Sequence, residues 1–189
     1  MSQSGGLIQV INNFITEDEA SRIIDFIENN LEVFESTQNN KRYALKYGKD
    51  FLFQNSFEDF SKYNHLNHYF KDKIFPRVVN QIKNFYNETD IAVSNLWFSK
   101  HCPGSVLRLH EDVDKGINPQ FIYSGIIYLN SLEDTGILRF PFADFEYSPK
   151  VGDFVFFPSE GKTFAHEIDE INKTRYAIPM WISSKEYAL

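Results

Sequence analysis

The stretch Leu107-Arg-Leu-His-Glu-Asp112, together with Phe164-Ala-His-Glu167 further along, decides how the rest of the chain is read. If residues 105–111 form a β-strand, side chains two apart share a face. His110 and Asp112 then look into one cavity, while Leu109 and Glu111 face the other way. An imidazole and a carboxylate held side by side make two corners of a metal site. His166, on another strand, is placed to supply the third.

A His-x-Asp pair is weak evidence by itself. Five histidines and twelve aspartates in 189 residues give roughly 0.3 such pairs by chance, so the motif needs context. Arg175 provides some of it, inside the run Lys173-Thr-Arg-Tyr-Ala-Ile-Pro-Met-Trp-Ile182. An arginine in an apolar, alternating strand is costly to bury without an anion, and a dicarboxylate held at the metal would be one. Two histidines and a carboxylate with open positions opposite is the arrangement of non-haem Fe(II) oxygenases. A zinc site or a hydrogen-bonded core trio is the plainer alternative.

Around these residues the distal half is punctuated like a β-protein. From Ile91 onward, aromatic and β-branched runs alternate with Gly, Pro, Asn and Asp, predicting strands at 92–101, 105–111, 121–130, 136–140, 144–147, 153–158, 163–168 and 174–183. Eight such strands predict a jelly roll. The first third reads as helical. Thr16-Glu-Asp-Glu19 is a capping box, and Ala20, Ile23, Ile24, Ile27 and Leu31 follow as one apolar stripe. A second helix is expected over about 58–73, and a third opening at Pro76. The expected plan is one domain over 1–189: a helical buttress over about 1–90 and a jelly-roll core over about 91–184, a mainly β fold with N-terminal helices. Between the first two helices, 32–57 has no clear period and reads as a hairpin or an arm.

Composition narrows the function classes. A net charge of -7 argues against a nucleic-acid partner, and Asn40-Lys-Arg-Tyr-Ala-Leu-Lys46 reads as a solvated loop. No apolar run approaches a membrane span. Met1-Ser-Gln-Ser-Gly-Gly6 lacks the basic and apolar regions of a secretory leader, and a single cysteine suits a reducing compartment, so a cytoplasmic location is expected.

A family resemblance gathers these pieces. His110-Glu-Asp112, Ile127-Tyr-Leu-Asn130, Thr135-Gly-Ile-Leu-Arg-Phe-Pro141, Pro149-Lys-Val-Gly-Asp153, Phe156-Phe-Pro-Ser159, His166-Glu167 and Thr174-Arg-Tyr-Ala-Ile178 occur in one order over 97–183. The ordered set resembles the Fe(II)/2-oxoglutarate-dependent dioxygenases, in their prolyl 4-hydroxylase-like branch. The resemblance implies a double-stranded β-helix (cupin-like) core. It also implies Fe(II) on His110, Asp112 and His166, O2 and 2-oxoglutarate as co-substrates, and ascorbate as reductant. Arg175 and Tyr128 would bind the distal carboxylate of 2-oxoglutarate, and Leu138 would flank its methylenes. The implied reaction is hydroxylation of a peptidyl proline, as in procollagen-proline hydroxylases, with release of succinate and CO2. The aromatic stretch 43–53 and the loop Val113–Pro119 would close over the peptide. One departure is Cys102-Pro-Gly104, where family members commonly carry a tyrosine ahead of the turn.

Other residues carry less. His65 and His68 read as surface histidines, and His101 as structural; Arg139 faces either substrate or solvent. Two further functions stay open at this point, a dioxygenase for a free amino acid or other small molecule and a catalytically silent jelly-roll binding module. Oligomeric state is not legible.

Overall fold

The computed structural model describes residues 5–39, 41–47, 64–113 and 115–189. Helix α1 (Glu17–Glu28) starts at the predicted capping box: Thr16 Oγ1 accepts from the Glu19 amide at 3.2 Å, and the Glu19 carboxylate accepts from the Thr16 amide at 2.8 Å. It buries Ala20, Ile23 and Ile27. The second and third predicted helices are continuous among the described residues. α2 (Asn64–Tyr69) runs through a π-helical turn (Phe70–Ile74) into α3 (Phe75–Tyr86), and Pro76 sits in the first turn of α3, directly after the π-helical turn. The predicted start of α2, with Phe60 and Tyr63, lies outside the described residues. No described helix is long and apolar enough to cross a membrane.

Among the described residues eleven strands follow in chain order: β1 (Gln9–Ile11), β2 (Glu35–Thr37), β3 (Arg42–Tyr47), β4 (Ile91–His101), β5 (Leu107–His110), β6 (Tyr123–Tyr128), β7 (Leu138–Phe140), β8 (Phe145–Tyr147), β9 (Phe154–Pro158), β10 (His166–Ile168) and β11 (Arg175–Ser184). They form a seven-stranded sheet, β1-β9-β6-β11-β4-β3-β2, facing a four-stranded sheet, β5-β10-β7-β8. This is the predicted jelly roll. All eight predicted distal strands are present, most of them trimmed at their ends, while β4 starts one residue earlier and β11 is shifted by one residue.

The proximal part departs from a purely helical buttress. β1 pairs with β9, and the β2–β3 hairpin pairs with β4, so the described residues before β4 contribute three strands as well as helices. The hairpin reading of 32–57 therefore holds for 35–47, while 48–57, with Phe51 and Phe53, lies outside the described residues.

Strand alternation sorts the large sheet into two faces. Leu96, Phe98, Ile178, Met180, Ile127, Phe154 and Phe156 pack against α1, the π-helical turn and α3. The opposite face sends Ile126, Tyr128, Val155, Phe157 and Ala177 against Leu138, Phe140 and Ile168 of the small sheet. A fully buried Phe or Ile side chain contributes about 1.5–3 kcal/mol, so these two apolar layers hold the sheets at a fixed separation.

The turn before β9 locks the layers together. Gly152 donates its amide to the Tyr128 carbonyl at 2.8 Å and accepts from the Ile15 amide at 3.0 Å, joining β6 to the segment leading into α1. Its φ is +82°, and an added Cβ would lie 2.3 Å from the Ile15 carbonyl oxygen. Gly152→Ala should therefore cost at least ~2 kcal/mol, read as a lower urea midpoint, while Gly6→Ala, with open space around it, should leave the midpoint unchanged.

Candidate functional site

The small sheet builds the site. β5 and β10 are antiparallel, and His110 lies directly opposite His166 in their register. The imidazole centroids are 4.4 Å apart. Each ring is aimed by its own backbone: His110 Nδ1 lies 2.8 Å from the Arg108 carbonyl and His166 Nδ1 lies 3.0 Å from the Phe164 carbonyl. A carbonyl only accepts, so Nδ1 carries the proton in both and Nε2 presents a lone pair. Both Nε2 atoms face Asp112, at 3.8 Å and 3.9 Å from its two carboxylate oxygens. One ligand atom from each of His110, Asp112 and His166 falls within 4.8 Å of the others, which is a cluster that could hold a metal ion.

Asp112 reaches this place differently from the strand argument. β5 ends at His110, and the chain bends at Asp112, whose carbonyl accepts from Asn118 Nδ2 at 2.9 Å. The start of the predicted strand is also diverted, because Gln38 takes both backbone groups of Val106: its amide donates to the Val106 carbonyl at 2.8 Å and accepts from the Val106 N–H at 3.2 Å. Likewise 162–164 is a 3-10 turn, and only His166–Ile168 is strand.

His166 is buried between the rings of Phe140 and Phe157, at 5.3 Å and 5.0 Å. Burial pushes its pKa below the ordinary imidazole value against the pull of Asp112, so it is held neutral, the form that ligates metals.

The triad opens into a cavity of about 610 Å³. Its wall includes Leu107, Ile126, Ile168, His101, Arg175, Arg42, Trp97, Asn95 and Trp181. Arg175 opens β11, is 3% exposed, and has no carboxylate partner among the described residues. Its guanidinium lies 5.2 Å from the Tyr128 ring centre. Burial raises the pKa of the fully buried Tyr128 phenol, and Arg175 offsets part of that rise. No hydrogen bond of normal geometry joins them: Tyr128 Oη and Arg175 Nε are both buried without a hydrogen-bond partner. Two buried donors left open side by side are what a carboxylate would satisfy.

The other predicted residues are placed as follows. Leu138 is fully buried in the second core cluster, and the apolar wall of the cavity there is formed by Leu107, Ile126 and Ile168. Cys102 is half-buried outside the cavity wall, with its amide donating to the Lys41 carbonyl. Arg139 pairs with Glu146 and Asp169 on the small sheet, which resolves it as a surface ion-pair residue. His68 is exposed beside Asp72. Sequence reading missed Arg42, Asn95, Trp97 and Trp181 as cavity residues. For Arg42 a solvated loop was the wrong expectation, because β3 turns its side chain into the cavity. His101 is buried as a structural residue would be, but on the cavity wall.

Comparison with known proteins agrees with this picture. Residues 96–183 match the model of the 2OG-Fe(II) oxygenase superfamily. No curated protein sequence matches the chain. Among solved structures, the viral collagen prolyl hydroxylase of Paramecium bursaria Chlorella virus-1, in its 2OG complex, superposes with a TM-score of 0.65 at 15% identity, over 97% of this chain and 99% of the other. A Pseudomonas putida prolyl-4-hydroxylase gives 0.61 at 16% identity, over 95% and 93%. A Trichoplax adhaerens prolyl hydroxylase, solved with a peptide fragment of the hypoxia inducible factor oxygen degradation domain, gives 0.61 at 16% identity, over 98% and 86%. At these identities the likeness is one of fold.

Changing the residues that orient a metal ligand costs about 10–100-fold in affinity, so losing a ligand should cost more. His110→Ala, Asp112→Ala and His166→Ala should each weaken Mn(II) binding beyond that range in calorimetric titration, with the circular dichroism spectrum retained. Wild-type affinity in any one of them would remove that residue from the site.

Proposed function

We propose that this chain is an Fe(II)- and 2-oxoglutarate-dependent dioxygenase that hydroxylates a peptidyl proline. One oxygen of O2 enters the C–H bond of the substrate and the other enters succinate as 2-oxoglutarate loses CO2. The observation that carries the reading is the pair of open buried donors, Arg175 Nε and Tyr128 Oη, in the region where the His110, Asp112 and His166 cluster faces the cavity. The iron, when bound by those three side chains, supplies the redox chemistry.

The protein's own residues supply binding and order. Arg175 offers a two-pronged guanidinium to the distal carboxylate of 2-oxoglutarate, and the neutral Tyr128 phenol adds an O–H donor. Leu107, Ile126 and Ile168 wall the space between that end and the histidines, excluding water from the reacting centre. The Nδ1–H bonds to Arg108 and Phe164 hold both imidazoles in one tautomer.

A peptide substrate is supported by the far wall. Trp181 and Asn95 are cross-strand partners, and Trp181 Nε1 and Asn95 Oδ1 are buried without hydrogen-bond partners, a donor and an acceptor beside each other as a peptide group requires. Aromatic surface from Trp97, Trp181 and Phe121, whose rings pack at 4.9 Å and 5.4 Å, suits a pyrrolidine ring. The fold likeness to prolyl hydroxylases points the same way.

Incubation with Fe(II), 2-oxoglutarate and a panel of proline-containing peptides should give succinate and a mass gain of one oxygen on peptide. Turnover on free amino acids and on no peptide would replace this reading with a small-molecule dioxygenase. Removing the partner of a buried carboxylate costs about 3–5 kcal/mol, so Arg175→Ala should raise the KM for 2-oxoglutarate at least roughly a hundredfold with Mn(II) affinity unchanged. Arg175→Lys should recover part of this.

A further inference from the structure

We infer that Arg42 forms a second anion subsite in the same cavity, one that receives a carboxylate carried by the substrate. The inference rests on the dioxygenase reading above for the purpose of the cavity.

Three strands place the group. Arg42 on β3 lies opposite His101 on β4, and His101 lies opposite Arg175 on β11. Directly paired residues share a face, so all three side chains point to the same side, and all three line the cavity. Strands lie about 4.8 Å apart, which separates the two arginine backbones by about 10 Å. His101 between them is 3% exposed, and burial followed by the two flanking guanidiniums drives its pKa well below the ordinary value. It is neutral and provides no counter-charge.

Arg42 thus holds a positive charge in a recess without an ion-pair partner among the described residues. Of the two carboxylates on the wall, Asp112 is committed to the histidines and Glu111 accepts from the Gly161 amide. Two like charges facing one cavity are unfavourable until anions enter. A single dicarboxylate on Arg175 answers only one of them.

The two guanidiniums also serve different parts of the cavity. Both guanidiniums act on His101, but Arg175 also acts on Tyr128 and His166, where no influence of Arg42 is felt. Arg42 instead lies 5.7 Å from the ring centre of Trp97, on the wall that continues to Asn95 and Trp181. Its anion therefore belongs to whatever occupies that wall, the substrate rather than the co-substrate. Two sources share the chemistry: the α-carboxylate of a free amino acid, and an acidic side chain beside the proline of a peptide.

The test uses the full-length chain loaded with redox-inactive Mn(II) and saturated with 2-oxoglutarate, titrated calorimetrically with matched pairs. One pair is L-proline and L-prolinamide; the other is a blocked Glu-Pro-Gly peptide and its Gln-Pro-Gly counterpart. In one of the pairs the carboxylate form should bind at least roughly tenfold more tightly than the amide. Arg42→Met should abolish that preference and Arg42→Lys should keep part of it, with the Kd for 2-oxoglutarate within roughly twofold of wild type. Equal affinity within both pairs, or no binding by any of the four, would overturn the subsite. So would an Arg42→Met protein that loses 2-oxoglutarate as Arg175→Ala does. Should Arg42→Met fail to fold, the wild-type pairs and Arg42→Lys still decide. Arg42-dependent carboxylate binding with no oxygen incorporated would sustain the subsite and remove the dioxygenase reading; peptide hydroxylation without carboxylate preference would do the reverse.

Discussion

Everything in this molecule is arranged to keep two imidazoles opposite each other on a pair of very short strands. β5 has four residues and β10 has three, too few hydrogen bonds to stand alone. They persist because Ile168 and the neighbouring Leu138 and Phe140 are pressed against the inner face of the large sheet, whose outer face is backed by helices. The backbone carbonyls of Arg108 and Phe164 then fix the ring orientations. A geometry that could hold a metal ion is thus kept in place by a layer that could not fold by itself.

The cavity is expensive to maintain. Burying a guanidinium or a polar atom without a partner opposes folding, and the cavity wall together with the core beside it contains several such groups: Arg175 Nε, Tyr128 Oη, Asn95 Oδ1 and Trp181 Nε1. Two thick apolar layers are what make the cost tolerable. These four groups lie on the inner side of the large sheet, whereas Leu96, Phe98 and Met180 pack on the helix-backed side. Stability and binding are drawn from opposite faces of one sheet.

That division also explains what the sequence disclosed. The distal strands were legible because each is a run of aromatic and β-branched residues between turn residues, and Arg175 stood out against apolar neighbours. Gln9-Val-Ile11 and Glu35-Ser-Thr37 were not, since three residues carry no usable alternation and become strands only by pairing with β9 and β3. Asp112 was placed correctly for an incomplete reason: it faces the histidines through a bend beyond the strand end. Arg42 was hidden because a local cluster of charges looks like a solvated loop, and the surface it turns toward is made by β4 and β11, far along the chain. Roles for single side chains in the cavity depend on such distant partners.

The hold of Gln38 on Val106 reaches beyond the fold itself. Gln38 is fastened to the residue just before β5, while Arg42, four positions on, is in register with His101 of the other sheet. The turn between them is therefore tethered to both sheets at once, with Gln38 and Asn39 already in the left-handed region. An insertion or deletion between Gln38 and Arg42 would pull against one tether or the other. Descendants of this gene are expected to vary here in letter and not in length.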